Sequence, residues 1–385
     1  MLSRCLQPLP ESLLDSEVRI KNKHVDLLLN TQSAETLRLR SRIIQRIREF
    51  LLNRNFMEVE TPILADGAGG AIARSFKTSA SEFPERELSM RIAPELWLKR
   101  LVLGGFDRIF EIGRCFRNEG RSSHRRIYTA KLNPQGLDLT HNPEFTTCEF
   151  YMAYAELHDL IDMTESLIVK LANTSADSRA DDLRSLPPLD LAQFARPFAR
   201  IDFIPALEKA INQRLPDLAA PDAPTTLLAL FATLALPPPT SPTLPRLLDK
   251  LAAHYLEPQC QAPTFIVHAP ECLSPLAKSF LDPRTKQRVS ARAELFVHGR
   301  ELVNTYEEEN SPFEQRRKFV EQARWRDAEN EAKVDESYLE ALEWGLPPTG
   351  GWGCGVDRLC MLFAGTERIA DVLSFGSLRN VVALK

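Results

Sequence analysis

Arg117 and Glu119 stand two apart in Phe116-Arg117-Asn118-Glu119-Gly120, a spacing that turns both toward one face of a strand. Arginine offers a planar, permanently charged fork for a phosphate or a carboxylate. A glutamate can accept from an amino group such as adenine's. Alone, the pair is equally an ordinary surface ion pair. A second group lies in His141-Asn142-Pro143-Glu144-Phe145 and Thr146-Thr147-Cys148-Glu149-Phe150-Tyr151. Phe145 can stack on a base. Glu149 and Tyr151 alternate to one face, either as a carboxylate beside a phenol that holds an ammonium or as the wet side of a half-buried strand. The third group is Glu294, Gly299-Arg300-Glu301, Asn304, Tyr306 and Glu308. Glu294 and Glu301, across a turn, can share magnesium with substrate phosphates, although Glu307-Glu308-Glu309 by itself is a common acidic run. The fourth is Gly350-Gly351-Trp352-Gly353-Cys354-Gly355-Val356-Asp357-Arg358. Its glycines permit close backbone approach, and Arg358 near a helix start can cover an adenine ring or reach a phosphate.

Such groups need elements to hold them. Residues 1–30 read as an irregular lead. Ser33 can cap a helix from Ala34, in which Ile43, Ile44, Ile47, Phe50 and Leu51 recur at helical spacing. Arg38, Arg40, Arg42, Arg46 and Arg48 interleave with that stripe, as an RNA-facing surface or as a solvated or subunit-contacting one. Met57 to Pro62 reads as a short strand stopped by proline. Pro94 to Leu101 reads as a helix and Ile109 to Phe116 as a strand. A strand over 144–152 enters a helix from Ala153 to near Leu171. Residues 176–262, rich in Pro, Ala and Asp, read as a variable surface segment with a few helices, for example Thr225 to Leu236. Strand-like alternation returns over 263–310, and 349–365 reads as a Gly-rich turn entering an apolar helix. Long strands of antiparallel character mixed with helices predict an α+β sheet rather than a doubly wound parallel one. Neither GxGxxG nor GxxxxGK[ST] occurs, so any nucleotide phosphates are held by side chains.

The 385 residues carry a formal net charge of -4 and are 44% hydrophobic, which fits a soluble chain with a sizeable core and not a nucleic-acid clamp throughout. No stretch approaches the roughly 20 apolar residues of a membrane span, and the start lacks a secretory run. The seven cysteines are scattered without a CxxC pair. Reduced thiols in an intracellular protein of cytoplasm or mitochondrion, not a secreted one, are expected.

Taken jointly and in order, these segments resemble the signature segments of class II aminoacyl-tRNA synthetases. The helix running into Glu58-Val59-Glu60-Thr61-Pro62 resembles the first, Phe116 through Phe150 the second, and Gly353 to Arg358 the third. Gly69-Gly70-Ala71, Arg91-Ile92-Ala93-Pro94-Glu95-Leu96, Leu98-Lys99-Arg100-Leu101, His141 to Phe145 and Pro347-Pro348-Thr349-Gly350 are similar to the lysine-specific members, with a eukaryotic flavour in 141–154. The resemblance implies the class II catalytic fold over 17–385, an antiparallel β-sheet flanked by helices, and the joining of L-lysine to tRNA(Lys) through lysyl-adenylate. It implies Arg117 and Arg358 as catalytic residues and an ATP site of Arg117, Glu119, His141, Phe145, Glu301 and Arg358. Mg2+ is implied on Glu294 and Glu301. The lysine site implied is Gly70 and Glu95 at the α-ammonium, Asn304 at the carboxylate, Tyr306 along the stem, and Glu149, Tyr151 and Glu308 at the side-chain ammonium. A homodimer through residues 35–54 is implied as well.

Two departures stand out. Residues 1–16 form an irregular lead too short for the anticodon-reading OB-fold of the family, so weak or poorly discriminating contact with the tRNA acceptor end is expected. Residues 121–136 interrupt the second segment as an atypical insertion containing Arg121, Arg125, Arg126 and Lys131 and no acid. It reads as a basic loop for tRNA phosphates or, the preferred reading, as an in-frame artefact of the gene product. Alternatives to tRNA charging are a paralogue that ligates lysine to another acceptor, a catalytically impaired truncated form, and a non-catalytic module.

Overall fold

The computed structural model describes residues 8–67, 70, 73–118, 140–325 and 334–376; Glu119 and the 121–136 insertion lie outside them. Among the described residues the main sheet has eight strands: β1 (Met57–Glu58), β2 (Arg108–Phe116), β3 (Glu144–Ala153), β4 (Ala199–Asp202), β5 (Thr264–Val267), β6 (Arg292–Val297), β7 (Arg300–Glu307) and β8 (Thr349–Gly355). Their order is β1-β2-β3-β8-β7-β6-β5-β4. Only the two rims, β1 on β2 and β4 on β5, pair in parallel. The fold is therefore the expected α+β one, with an antiparallel centre.

Alternation along β3 assigns its two faces. Cys148, Phe150 and Met152 point into the main core with helices α1 (Thr31–Leu52), α3 (Leu157–Asp181) and α9 (Val356–Ala364). Phe150 stacks on Trp352 of β8 at 4.9 Å, and the indole N–H donates to Thr164 Oγ1 of α3 at 2.9 Å. Tyr151 points to the opposite face, where α2 (Glu95–Leu103), α7 (Pro312–Arg324) and α8 (Glu336–Leu342) pack. The candidate site lies on this second face.

The apolar stripe of α1 is buried as the period predicts, with Leu39, Ile43, Ile47 and Leu51 fully inside. The helix starts earlier than Ser33: Asn30 is its N-cap residue, while Ser33 is buried within the first turns and accepts from Arg19 Nη2 at 2.9 Å. Arg40, Arg42, Arg46 and Arg48 make ion pairs with Asp357, Asp182, Glu49 and Glu58. Helix α3 begins at Leu157, not Ala153, because β3 continues to Ala153 and a reciprocal cap between Glu156 and Asp159 closes the helix start.

The lead is not irregular throughout, since short helices run over Ser16–Lys21 and Lys23–Leu29. Two further readings need larger correction. The Gly-rich run over 349–355 is a central strand, not a turn. Its glycines sit where neighbouring side chains cross: a Cβ at Gly351 would overlap the Glu308 carboxylate, and one at Gly350 would come 3.0 Å from Ala155 and Leu160. The 176–262 segment is more than a surface elaboration. Helices α4 (Phe203–Ile211), α5 (Ala223–Thr233) and α6 (Leu244–Tyr255) bury Leu207, Leu227, Phe231, Leu248 and Leu251 against Ile266 and Phe296 of the sheet. Prolines stand in the first turns of α5 and α6, where their missing N–H costs nothing.

Candidate active site

Helix α2 begins the site. Glu95 and Lys99 are four residues apart on it, one turn, and Lys99 Nζ donates to Glu95 Oε1 at 2.7 Å. The same ammonium contacts Glu308 Oε2, from just beyond β7, and Lys99 is wholly buried. Tyr306 of β7 donates its hydroxyl to Glu95 Oε1 at 2.6 Å. Tyr151 of β3 donates to Glu149 Oε2 at 3.1 Å. Gly351 pairs with Tyr151 on one side and Tyr306 on the other, and its lack of a Cβ leaves room for Glu308. Gly70, at φ +89°, backs onto Glu95: a Cβ there would stand 3.1 Å from Glu95 Cβ. The structure thus brings Gly70, Glu95, Glu149, Tyr151, Tyr306 and Glu308 into one box whose own cation is Lys99.

The electrostatics of the box are dominated by burial. Desolvation first, and Glu95 next, push the Glu149 carboxyl up to about 8. Burial also raises the phenols of Tyr151 and Tyr306 well above their usual range, with nearby carboxylates adding to it. Burial alone would lower the Lys99 ammonium, but Glu308 and then Glu95 outweigh it and hold it protonated. Glu308 Oε1 is buried and, among the described residues, has no hydrogen-bond partner, an unmet demand in a dry place. Beneath the box Arg91 pairs with Glu111 at 2.5 Å, both buried, and Thr61 donates to Glu111 Oε2 at 2.6 Å. Arg91 fills the space that a side chain at Gly113 would need.

A second group flanks the box. The Arg117 guanidinium lies 5.0 Å from the Phe145 ring centroid. Arg358, in the first turn of α9, donates through Nη1 to the Glu301 carbonyl at 2.9 Å and through Nη2 to His141 Nε2 at 2.8 Å. Its guanidinium is 3.5 Å from Glu301 Oε2. Glu294 of β6 stands opposite Asn304 of β7, and Arg292 ties the two: it donates to Asn304 Oδ1 at 2.8 Å and contacts the Glu294 carboxylate. That bond leaves the Asn304 NH2 group to point elsewhere. Glu294 and Glu301 are thus on adjoining strands, each beside an arginine. Among the described residues no three His, Cys, Asp or Glu side chains converge on a metal position. An open cleft of about 600 Å³ lined by Arg100, Leu103 and Trp344 shares α2 but none of these side chains.

Lys99 and Arg292 carry no role in the sequence reading. The four-residue spacing of Glu95 and Lys99 on a helix was the available signal for the first. Nothing local marks the second, because its partners are set by strand register.

With this geometry in hand, the comparisons with known proteins are specific. The family of tRNA synthetases class II (D, K and N) matches residues 15–132 and 134–379. The chain belongs to that family. Similar curated proteins include lysine–tRNA ligases. Lysine–tRNA ligase cla4 of Cladosporium cladosporioides is 40% identical over 99% of this chain and 62% of its own length. The mitochondrial lysine–tRNA ligase of Schizosaccharomyces pombe is 42% identical over 99% of this chain and 68% of its own. A probable cytoplasmic lysine–tRNA ligase of Enterocytozoon bieneusi is 40% identical, over 98% and 72%. The chain therefore spans roughly two thirds of the relatives it matches.

Proposed function

We propose that this protein is a lysine–tRNA ligase: it activates L-lysine with ATP to lysyl-adenylate and passes lysine to the acceptor end of tRNA(Lys). One observation carries the reading. Glu95, Glu149 and Glu308 share a dry box in which Lys99 is the buried cation among the described residues, with Arg117 at its edge. Fully ionised, the box has two negative charges in excess, the number that the two ammonium groups of free lysine neutralise. Buried carboxylates without such partners are unfavourable.

In this reading Gly70 and Glu95 take the α-ammonium, and Tyr306 lines the alkyl stem. Glu149, Tyr151 and Glu308 take the side-chain ammonium. Arg117 and the Asn304 amide hold the carboxylate. Phe145 and Arg358 enclose the adenine, Glu119 reads its amino group, and His141 faces the outer phosphates. The lysine carboxylate oxygen attacks the α-phosphorus in line and pyrophosphate leaves. A terminal ribose hydroxyl then attacks the adenylate carbonyl and AMP leaves. The residues contribute positioning and charge neutralisation. Glu294 and Glu301 are hard oxygen donors on adjoining strands and fit Mg2+ completed by phosphate oxygens; when bound, the ion neutralises phosphate charge. Helix α1 would pair two copies, and relatives named as cytoplasmic and as mitochondrial fit an intracellular site of action.

The test is lysine-dependent ATP–pyrophosphate exchange, then charging of tRNA(Lys). Glu149→Ala should lose exchange by at least about 100-fold, as expected when a buried ammonium loses its carboxylate at about 3–5 kcal/mol. Near-normal exchange in that variant would refute the pocket. Exchange without charging would move the acceptor away from tRNA.

A further inference from the structure

We infer that Arg40, Asp357 and Thr146 form a brace that positions the two sides of the adenine enclosure, Phe145 and Arg358; the inference rests on the adenylation reading above. Arg40 belongs to helix α1, far from the box. Its Nη1 meets Asp357 Oδ1 at 2.5 Å, and its Nη2 donates to Thr146 Oγ1 at 3.0 Å. The third side closes between the other two: the Thr146 backbone N–H donates to Asp357 Oδ2 at 2.8 Å. Thr146 and Asp357 are both buried, and the Arg40 side chain is 12% exposed.

The neighbours in sequence give the brace its consequence. Thr146 directly follows Phe145, and Asp357 directly precedes Arg358. The β3–β8 ladder ends at the pair Thr147 and Gly355, after which the chain leaves the sheet as helix α9. The Asp357 carboxylate accepts the next N–H of β3 and so extends the join by one rung, from a helix onto a strand. That rung fixes where the first turn of α9, with Arg358 in it, stands relative to Phe145. Arg40 holds the carboxylate from behind and satisfies the Thr146 hydroxyl as well. Each of the three groups is thereby paired within the triangle, as a buried polar network requires if it is to be rigid. Displacing a substrate-contacting group by about 1 Å can cost on the order of 100-fold in rate. These three are positioning residues, and their effect should fall on ATP rather than on lysine.

The experiment uses the full chain with Arg40→Met, Asp357→Asn and the double variant. KM values for ATP and for lysine are measured separately in pyrophosphate exchange, beside melting temperature. Each single variant should raise KM for ATP by about tenfold or more and leave KM for lysine within about twofold. The double variant removes both buried charges together, so it should recover melting temperature and keep the raised KM for ATP. A folded double variant with wild-type KM for ATP overturns the brace, as do equal rises in both KM values. If the single variants do not fold, the double variant decides alone. A wild-type chain without lysine-dependent exchange would overturn the adenylation reading and the brace with it; an active wild type with indifferent variants overturns only the brace.

Discussion

The proton on Glu149 is a consequence of single-residue chemistry. Burial and the neighbouring Glu95 place its carboxyl near 8, so at neutral pH the empty box keeps it protonated. An entering ammonium needs the carboxylate. Binding lysine at pH 7 should therefore release close to one proton, and affinity for lysine should strengthen from pH 6 to pH 8.5. Calorimetry in two buffers of different ionisation enthalpy reads this directly, and a pH-independent affinity without proton release would contradict it. The stability sign is opposite. A carboxyl raised in the folded state binds more protons than its unfolded counterpart between about 4.5 and 8. The ligand-free protein loses this contribution as pH rises through that window. The groups facing Glu149 in this balance are Glu95 and Lys99 on α2, Glu111 on β2, Tyr151 beside it, Tyr306 and Glu308 from β7, and Arg117.

At the scale of elements, strand β8 carries the box by what it lacks. Gly351→Ala would set a methyl against the Glu308 carboxylate and 2.8 Å from Tyr151 Cε1. Overpacking of this kind costs about 1–3 kcal/mol, and here it displaces two pocket groups. The expected result is a rise of about tenfold or more in KM for lysine, with little change for ATP; steady-state exchange checks it, and an unchanged lysine KM would show that β8 does not shape the pocket. This strand also marks where sequence reading fell short. Seven residues with four glycines look like a turn locally, and only the crossing of Glu308, Tyr151 and Leu160 explains them as strand. Helix α1 was legible because a period of 3.6 records burial of Leu39, Ile43 and Ile47 in the sequence itself. The prolines of 176–262 suggested surface because proline is scored against regular structure, although at a helix start it is compatible with a core. Arg91 with Glu111, and Arg292 with Asn304, join elements distant in sequence. No local pattern encodes them, and Lys99 looked like any lysine on a helix until its complete burial was visible.

At the scale of the whole molecule, the described residues form one eight-stranded main sheet between helical layers, two small sheets of two and three strands, and an added helical core beside β5 and β6. Three charged ties join α1 to other elements, at Asp357, Asp182 and Glu58, and Arg46 pairs with Glu49 within the helix. A homodimer is the expected state, and light scattering at micromolar concentration checks it; a mass near 43.5 kDa would mean a monomer. The proposed lysine box, in contrast, lies where α2, β3, β7 and β8 meet. The most direct test of the central claim, that this box selects two ammonium groups at the spacing lysine gives them, is pyrophosphate exchange across lysine, ornithine, arginine and norleucine at fixed ATP. Lysine should support exchange at least about 1,000-fold more efficiently than any of the others, since sites with buried polar partners discriminate by about 10⁴–10⁵. Norleucine or arginine within tenfold of lysine, or no exchange with lysine at all, would contradict it.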